Sequence, residues 1–173
     1  ENVTYQKSDF DIPPPENATS TKTQNVATTT TLFFGGDIML DRGVKTSVEN
    51  NFTGDYNTLF ENLPEIKSAD IAFANLEGPL SDRGHDSGSK FPFEMSPLAL
   101  PALQNSGFDI FSLANNHMGD YTATAFTDTM KNLTDYSIRF AGAGINKQEA
   151  EKPTIIEKND TKFGFLAFSD VGP

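Results

Sequence analysis

Short apolar segments that alternate with helical segments constrain the fold of this chain more than any other feature. Four such segments, at residues 31–34, 70–74, 108–113 and 137–141, are each followed within two residues by glycine or asparagine. Helical spacing separates them, which predicts repeated strand–helix–strand units and a largely parallel central sheet. The segments are short, mostly apolar blocks rather than alternating ones, as expected for strands that are covered on both faces. The predicted fold class is therefore α/β.

The remaining elements follow from residue spacing and from turn-forming residues. Helices are predicted near residues 44–50, 59–67, 97–105 and 122–133. A pair of strands is predicted at residues 154–157 and 163–168, around a turn at Asn159 and Asp160. The first strand is expected to be buried and to end in a tight turn at Gly35-Gly36-Asp37, and polar, glycine-rich residues 81–90 are expected to form a loop.

Residues 1–30 differ in composition from the rest of the chain. They contain three consecutive prolines at 13–15 and a threonine-rich run, with few apolar residues. This composition predicts an extended, solvated linker. The linker is either a tail without a task or a stalk that holds the folded domain, residues 31–173, away from a membrane or wall.

Charge and cysteine content exclude several classes of function. The 173 residues contain 13 Lys+Arg and 24 Asp+Glu, a formal net charge of −11, which argues against a nucleic acid partner and against docking on an anionic lipid surface. The absence of cysteine excludes disulfides, thiolate nucleophiles and cysteine-bound zinc. No apolar stretch is long enough to cross a membrane. Since the chain begins at Glu1, we expect that a signal peptide or anchor has been removed from it.

Polar side chains collect where the predicted strands end. Asp37, Asn75, Glu77, Asn116 and His117 each follow a predicted buried strand. The carboxyl ends of parallel strands share one edge of a sheet, and ligands bind in the crevice there. Carboxylate and amide oxygens with one imidazole suit Mn²⁺, Mg²⁺, Fe²⁺ or Zn²⁺. We therefore expect Asp37, Glu77 and Asn116 to hold a divalent metal that polarises a phosphoryl or carbonyl oxygen or activates a water.

Further residues complete the predicted site, and each candidate has a structural alternative. His117 could act as general acid with Asp120 orienting its ring. Arg42 could grip an anionic substrate, and Asn75 and Asn115 could contact the substrate or support the metal ligands. The alternatives are a turn or helix N-cap for Asp37, a solvated loop for Glu77, a turn for Asn115 or Asn116, a structural histidine for His117, an N-cap for Asp120, and a surface ion pair with Asp41 for Arg42. His85 is expected to be a solvated loop residue, and Gly142-Ala143-Gly144 is too weak a motif for a dinucleotide cofactor.

Four ordered motifs resemble the CapA/PgsA family of bacterial capsule, or poly-γ-glutamate, biosynthesis proteins. They are Gly36-Asp37-Ile38-Met39-Leu40 with Arg42-Gly43-Val44, Asn75-Leu76-Glu77-Gly78-Pro79-Leu80, Ser112-Leu113-Ala114-Asn115-Asn116-His117, and Gly142-Ala143-Gly144 with Asn146 and Glu149-Ala150. The resemblance covers about residues 31–173. It implies a calcineurin-like metallophosphoesterase fold, a sandwich of two sheets flanked by helices.

The resemblance also implies roles for individual residues. Asp37 matches the aspartate that opens the metal site, Glu77 with Asn75 matches the second acidic motif, and Asn116 with His117 matches the asparagine–histidine pair. Met39 stands where the superfamily has a histidine, and Glu77 replaces a Gly-Asp pair. The superfamily's later histidine motifs would follow residue 173, so we expect residues 31–173 to be the N-terminal portion of a larger domain and to bind a cation only weakly.

Two functions follow from the site and the resemblance. The first is a metal-dependent hydrolase that acts on a phosphoester or on an amide of an anionic envelope polymer. The second is a non-catalytic subunit of a membrane complex that synthesises and exports such a polymer, with membrane synthase subunits as partners. For either function, we expect the protein on the extracellular face of the cell envelope, tethered through a removed N-terminal segment.

Overall fold

The computed structural model describes residues 29–171, so nearly all of the linker predicted at residues 1–30 lies outside the described residues. The strands are β1 (Leu32–Ile38), β2 (Ile71–Leu76), β3 (Ile110–Ser112), β4 (Arg139–Ala141), β5 (Thr154–Lys158) and β6 (Thr161–Phe165). The helices are α1 (Arg42–Asn51), α2 (Pro64–Ser68), α3 (Leu100–Ser106), α4 (Thr122–Asp135) and α5 (Lys147–Ala150), with 3₁₀ turns at Tyr56–Leu59 and Pro97–Ala99.

Strands β1 to β4 form a parallel sheet in the order β1-β2-β3-β4. Asp37 of β1 lies opposite Asn75 of β2, and Asn75 lies opposite Ser112 of β3. The carboxyl ends of all four strands therefore meet at one edge, as predicted. Strands β5 and β6 form a separate antiparallel pair.

The parallel sheet is buried between two layers. Ala72 and Leu76 of β2 belong to the main hydrophobic cluster. The helices complete this cluster with Val48, Ile66, Leu103 and Leu133. Ile71, on the opposite face of the same strand, packs in a second cluster with Ile156 of β5. Successive residues of β2 thus enter different cores, which explains its continuous apolar sequence. The α/β class, with two sheets and flanking helices, is confirmed.

Strand β1 departs from the prediction. Residues 31–34 were expected to form a buried strand that ends in a turn at Gly35-Gly36-Asp37, but β1 continues through these residues to Ile38. The register shifts between Phe34 and Asp37, so the glycines mark a bulge rather than a turn. Because β1 lies at an end of the strand order, Phe34 is 63% exposed.

The single helix predicted at residues 59–67 is also wrong. A 3₁₀ turn ends at Leu59, and α2 begins only at Pro64. Proline lacks a backbone N–H and has a fixed φ, so it suits the first turn of a helix and not the interior. The helical spacing in this segment therefore reflects two short elements, the 3₁₀ turn and α2, rather than one continuous helix.

The predicted hairpin and the other three predicted helices are present. Asn159 and Asp160, both with positive φ (50° and 59°), join β5 to β6 in the manner of a tight hairpin turn. Gly107 ends α3 in the left-handed conformation, with φ 98°. Helices α1 and α4 cover the segments predicted at residues 44–50 and 122–133.

Candidate functional site

Three polar side chains link neighbouring strands at the carboxyl edge of the parallel sheet. The Asn75 amide donates to Asp37 Oδ1 at 2.8 Å. The Asn115 amide donates to Asn75 Oδ1 at 3.2 Å and to the Leu76 carbonyl at 2.9 Å. Asn75 and Asn115 thus cross-link the ends of β1, β2 and the segment after β3. Asp37 lies inside β1 rather than after it, so its alternatives as a turn residue or N-cap are wrong.

His117 lies between two carboxylates, of which Asp120 is within hydrogen-bond distance. Its Nδ1 lies 2.7 Å from Asp120 Oδ2, and its Nε2 lies 3.9 Å from Glu77 Oε1. Its backbone N–H donates to Asn115 Oδ1 at 3.1 Å. A carboxylate can only accept, so Asp120 selects the tautomer in which Nδ1 carries the proton. The Nε2 atom then faces Glu77.

Asp120 positions the imidazole and does not cap a helix. It is buried, and the residue that precedes α4 is Tyr121, which makes no capping bond through its side chain. The Asp120 carboxylate also accepts the Phe93 N–H at 2.9 Å. The N-cap alternative for Asp120 is therefore wrong, and the predicted orienting contact with His117 is present.

Phe93 covers the imidazole and was not predicted as a site residue. Its ring centroid lies 4.0 Å from that of His117, with the planes tilted by 31°. Gly78 permits this approach, because a Cβ there would lie 2.9 Å from Phe93 Cβ. In the sequence, Phe93 follows a polar loop and has the spacing of an ordinary core aromatic. Only the contact with Asp120 and His117 distinguishes it.

Arg42 lies on the outer side of Phe93. Its guanidinium carbon is 4.4 Å from the Phe93 ring centroid, and Nη2 donates to the Pro92 carbonyl at 3.3 Å. The alternative surface pair with Asp41 is wrong, because Asp41 Oδ2 instead accepts the Glu94 N–H at 2.9 Å. Burial raises the pKa of Glu94, an effect that the nearby Lys45 opposes.

The two adjacent asparagines differ in their environments. The Asn115 amide is fixed inside the strand-end network, whereas Asn116 is exposed. His85, as expected, is exposed in the loop that follows Ser81. Across residues 29–171, no three acidic or histidine side chains are grouped so that they could hold a metal ion. The predicted metal ligands Asp37, Glu77 and Asn116 therefore remain a prediction, in which an amide must supply one ligand.

A groove of about 600 Å³ opens beside this network. Its lining includes Leu113, Asn115, Met118 and Phe126. Asn115 therefore belongs both to the strand-end network and to the lining of the groove. Within the described part of the chain, no helix combines the length and apolar character that a bilayer crossing requires.

Comparison with known proteins identifies the family. The model of the family described as bacterial capsule synthesis protein PGA_cap matches residues 31–172. The chain belongs to this capsule synthesis family. The resemblance of the four motifs to CapA/PgsA proteins is thereby confirmed, and the calcineurin-like architecture agrees with the two sheets and flanking helices.

Curated relatives in the capsule synthesis family are longer than this chain. The capsule biosynthesis protein CapA of Bacillus anthracis is 31% identical over 145 residues, which cover 81% of this chain and 34% of that protein. The PGA biosynthesis protein CapA of Bacillus subtilis is 25% identical, with 80% and 37% covered. A probable polyglutamine synthesis accessory protein of Mycobacterium tuberculosis is 27% identical, with 73% and 42% covered. The chain thus spans about a third of the two Bacillus relatives.

Proposed function

We propose that this chain contributes a hydrolase-type site to a protein of capsule or poly-γ-glutamate biosynthesis. The substrate is a phosphoester or an amide of an anionic envelope polymer. Membership of the capsule synthesis family supports the biological role. The arrangement of His117 between Asp120 and Glu77 supports the chemistry.

The position of His117 is the single observation that carries the hydrolytic proposal. Asp120 fixes the ring through Nδ1 at 2.7 Å, and Phe93 covers one face of the imidazole. Nε2 is left to exchange a proton with a reacting group. A positioned imidazole of this kind is the commonest general acid or base in enzymes. A purely structural histidine needs no second carboxylate facing its other nitrogen.

The proposed proton movements involve three residues. With Nδ1 protonated by virtue of its bond to Asp120, Nε2 carries the lone pair and can accept a proton. A proton taken up there gives an imidazolium between the Asp120 and Glu77 carboxylates, and Nε2 can then pass that proton to a leaving group. Phe93 limits the access of water to the ring, which keeps the proton transfer directed at the substrate.

A divalent cation is the cofactor that this proposal requires. Asp37, Glu77 and Asn116 would hold it, and their oxygen donors suit Mn²⁺, Mg²⁺, Fe²⁺ or Zn²⁺. When bound, the cation polarises a phosphoryl or carbonyl oxygen. The donor types fit such an ion, but the number of charged ligands within residues 29–171 is small. We therefore propose that this chain alone binds the cation weakly.

A second function is favoured by the same shortage of charged ligands. In this alternative, the protein is a non-catalytic subunit of a membrane complex that synthesises and exports the polymer. The strand-end network would then shape the fold or bind polymer without cleaving it. Under either function we propose an extracellular location at the cell envelope, and under the second we propose membrane synthase subunits as partners.

A comparison of the two histidines tests the hydrolytic proposal. The intact protein is assayed with Mn²⁺ against a model phosphodiester and against poly-γ-glutamate. Because general acid–base catalysis contributes about 10²–10⁴ in rate, His117→Ala should lower turnover by that factor. His85→Ala, which changes the exposed loop histidine, should leave turnover unchanged. Absence of turnover in the unaltered protein, or equal turnover in His117→Ala, would overturn the proposal.

A pull-down of membrane synthase components with the intact protein tests the second function. Recovery of such components together with absence of turnover would favour the subunit. Failure to recover any of them would count against it. Turnover that depends on His117 supports the hydrolase, and recovery of synthase components without turnover supports the subunit, so the two experiments together distinguish the functions.

A further inference from the structure

Arg42 has an unusual combination of exposure and fixed position. Its side chain is exposed, yet its guanidinium carbon lies 4.4 Å from the Phe93 ring centroid and 5.8 Å from that of Phe91. Within residues 29–171, no carboxylate lies within ion-pair distance of this guanidinium, and its hydrogen bond there goes to the Pro92 carbonyl. Its other N–H donors make no hydrogen bond within the described residues.

The same aromatic ring connects Arg42 to the candidate site. Phe93 stacks on His117 with a centroid separation of 4.0 Å. The two stacking distances, 4.4 Å and 4.0 Å, together limit the guanidinium–imidazole separation to about 8 Å. One substrate residue with an acidic group can span such a gap. We refer to Arg42, Phe93 and His117 as the stacked triplet.

The backbone conformation of Arg42 indicates that the surrounding structure fixes the position of this residue. Arg42 begins α1 with a φ of 49°, in the left-handed region that residues with a side chain rarely adopt. Backbone strain of this kind persists where the surrounding structure imposes it, and it clusters at binding sites. The contacts with Phe93 and the Pro92 carbonyl hold the guanidinium beside the site.

The charge of the surroundings makes this cation distinctive. The site contains the carboxylates of Asp37, Glu77 and Asp120, in a chain with a net charge of −11. These carboxylates would repel an acidic substrate unless a positively charged group in the site bound it. Arg42 is a cation that is exposed, positioned by stacking and adjacent to the imidazole. A planar guanidinium binds a carboxylate or a phosphate through two parallel hydrogen bonds.

We infer that Arg42 is a specificity-determining residue that binds an oxyanion of the substrate, a carboxylate or a phosphate, while the neighbouring bond faces His117. This inference rests on the proposed function, because it names the substrate class that the same site selects. A backbone carbonyl and an aromatic face hold the guanidinium without neutralising it, so the residue is prepared for an external anion. Lysine cannot reproduce both the stacking and the paired hydrogen bonds.

Binding measured without turnover tests the inference. The intact protein is titrated with two probes, a γ-glutamyl-glutamate oligomer and inorganic phosphate, while the NMR signal of the Arg42 Nε–H is followed. Loss of a charged, two-point hydrogen bond weakens binding by about tenfold or more. We expect Arg42→Gln to weaken one probe by at least that factor and Arg42→Lys to recover only part of it. The probe that responds identifies the carboxylate or the phosphate as the ligand.

Arg139→Gln is the matched control, since Arg139 is exposed and begins β4 at the amino end of the sheet, opposite the site. It removes the same charge and should leave both affinities unchanged. The NMR signals of His117, which lies against the Phe93 ring, report whether the stacked triplet survives in each variant. Affinities of Arg42→Gln within twofold of the unaltered protein, or no binding of either probe by the unaltered protein, would overturn the inference.

The hydrolytic proposal and this inference can fail separately. Arg42-dependent binding without any turnover rejects the hydrolase and retains the anion site. Turnover that depends on His117, together with probe affinities that are unchanged in Arg42→Gln, rejects the anion site alone. The binding assay therefore decides the role of Arg42 whatever the assay of turnover gives.

Discussion

At the scale of single residues, the site depends on how Asp120 fixes the imidazole of His117. Asp120→Asn keeps the shape of the side chain but replaces an obligatory acceptor with an amide that can also donate. We expect His117 no longer to favour the tautomer with the proton on Nδ1. Turnover should fall about 10–100-fold, as when a group that orients a histidine is removed. The ¹⁵N chemical shifts of His117 measure the tautomer directly. An unchanged Nδ1 signal in the variant would show that Asp120 does not select it.

Gly142 illustrates a residue whose small size is required by its neighbours. Its φ is 79°, and an added Cβ would lie 2.7 Å from both Ala114 Cβ and the Ala167 carbonyl oxygen. Gly54 has a similar φ of 83°, with nothing within 4 Å of an added Cβ. Gly54→Ala should lower the free energy of unfolding by about 1–2 kcal/mol, from backbone strain alone. Gly142→Ala should carry the same strain and lose about 1–3 kcal/mol more in the free energy of unfolding, because its Cβ would overpack the neighbouring atoms. Equal losses in urea denaturation would refute the packing role.

Glu94 gives a pH dependence whose sign follows from burial. Burial raises the pKa of this carboxyl, so the folded state favours its neutral form. The stabilising contribution is therefore complete below the ordinary value of 4.5 and is lost as the pH rises through the raised pKa. Glu94→Gln should consequently be more stable than the unaltered protein at pH 7 and lose this advantage near pH 4. Thermal unfolding at the two pH values measures this, and a constant difference would contradict it.

At the scale of elements, residue patterns predicted the strands better than the boundaries at glycine and proline. Gly35 and Gly36 have the composition of a turn, but pairing of Asp37 with Asn75 across β1 and β2 makes them a bulge. Whether a glycine pair bends or ends a strand depends on the neighbouring strand, which a local pattern does not contain. The helix boundary at Pro64, by contrast, could have been predicted from the local sequence, because a proline inside a helical pattern marks a boundary.

Helix α4 is joined to the segment after β2 by a buried hydrogen bond. The Leu80 N–H donates to Thr129 Oγ1 at 2.8 Å, and both residues are fully buried. Thr129→Val keeps the volume but leaves that N–H without an acceptor, so we expect a loss of about 1–3 kcal/mol in the free energy of unfolding. Thr127→Val is the control, because Thr127 is exposed and its hydroxyl bonds only Ala123 of its own helix. Similar urea midpoints for the two variants would contradict the assigned role.

At the scale of the whole molecule, the topology brings the candidate residues together, and this part of the site was predictable. Parallel strands carry their carboxyl ends to one edge, so Asp37, Asn75 and Glu77 were expected to be neighbours. Arg42 was predicted to grip an anionic substrate, but neither its stacking on Phe93 nor the role of Phe93 was predictable. Both depend on how the loop that carries Phe93 packs over His117. Sequence spacing indicates which residues share a strand end, but the packing of loops over that edge requires the structure.

The net charge of −11 determines how the molecule as a whole should meet an anionic polymer. Poly-γ-glutamate carries the same sign, so long-range repulsion opposes its approach, and the contact proposed for Arg42 would supply one point of attachment. Divalent cations can bridge polymer and protein carboxylates, whereas monovalent salt only screens the repulsion. We therefore expect long poly-γ-glutamate to bind at least tenfold more tightly with millimolar Mg²⁺ or Mn²⁺ than with NaCl at equal ionic strength, and a chelator to reverse the gain. Co-sedimentation of the polymer with the intact protein measures this. Equal binding in the two salts would show that cations act only by screening and that the acidic surface takes no part in holding the polymer.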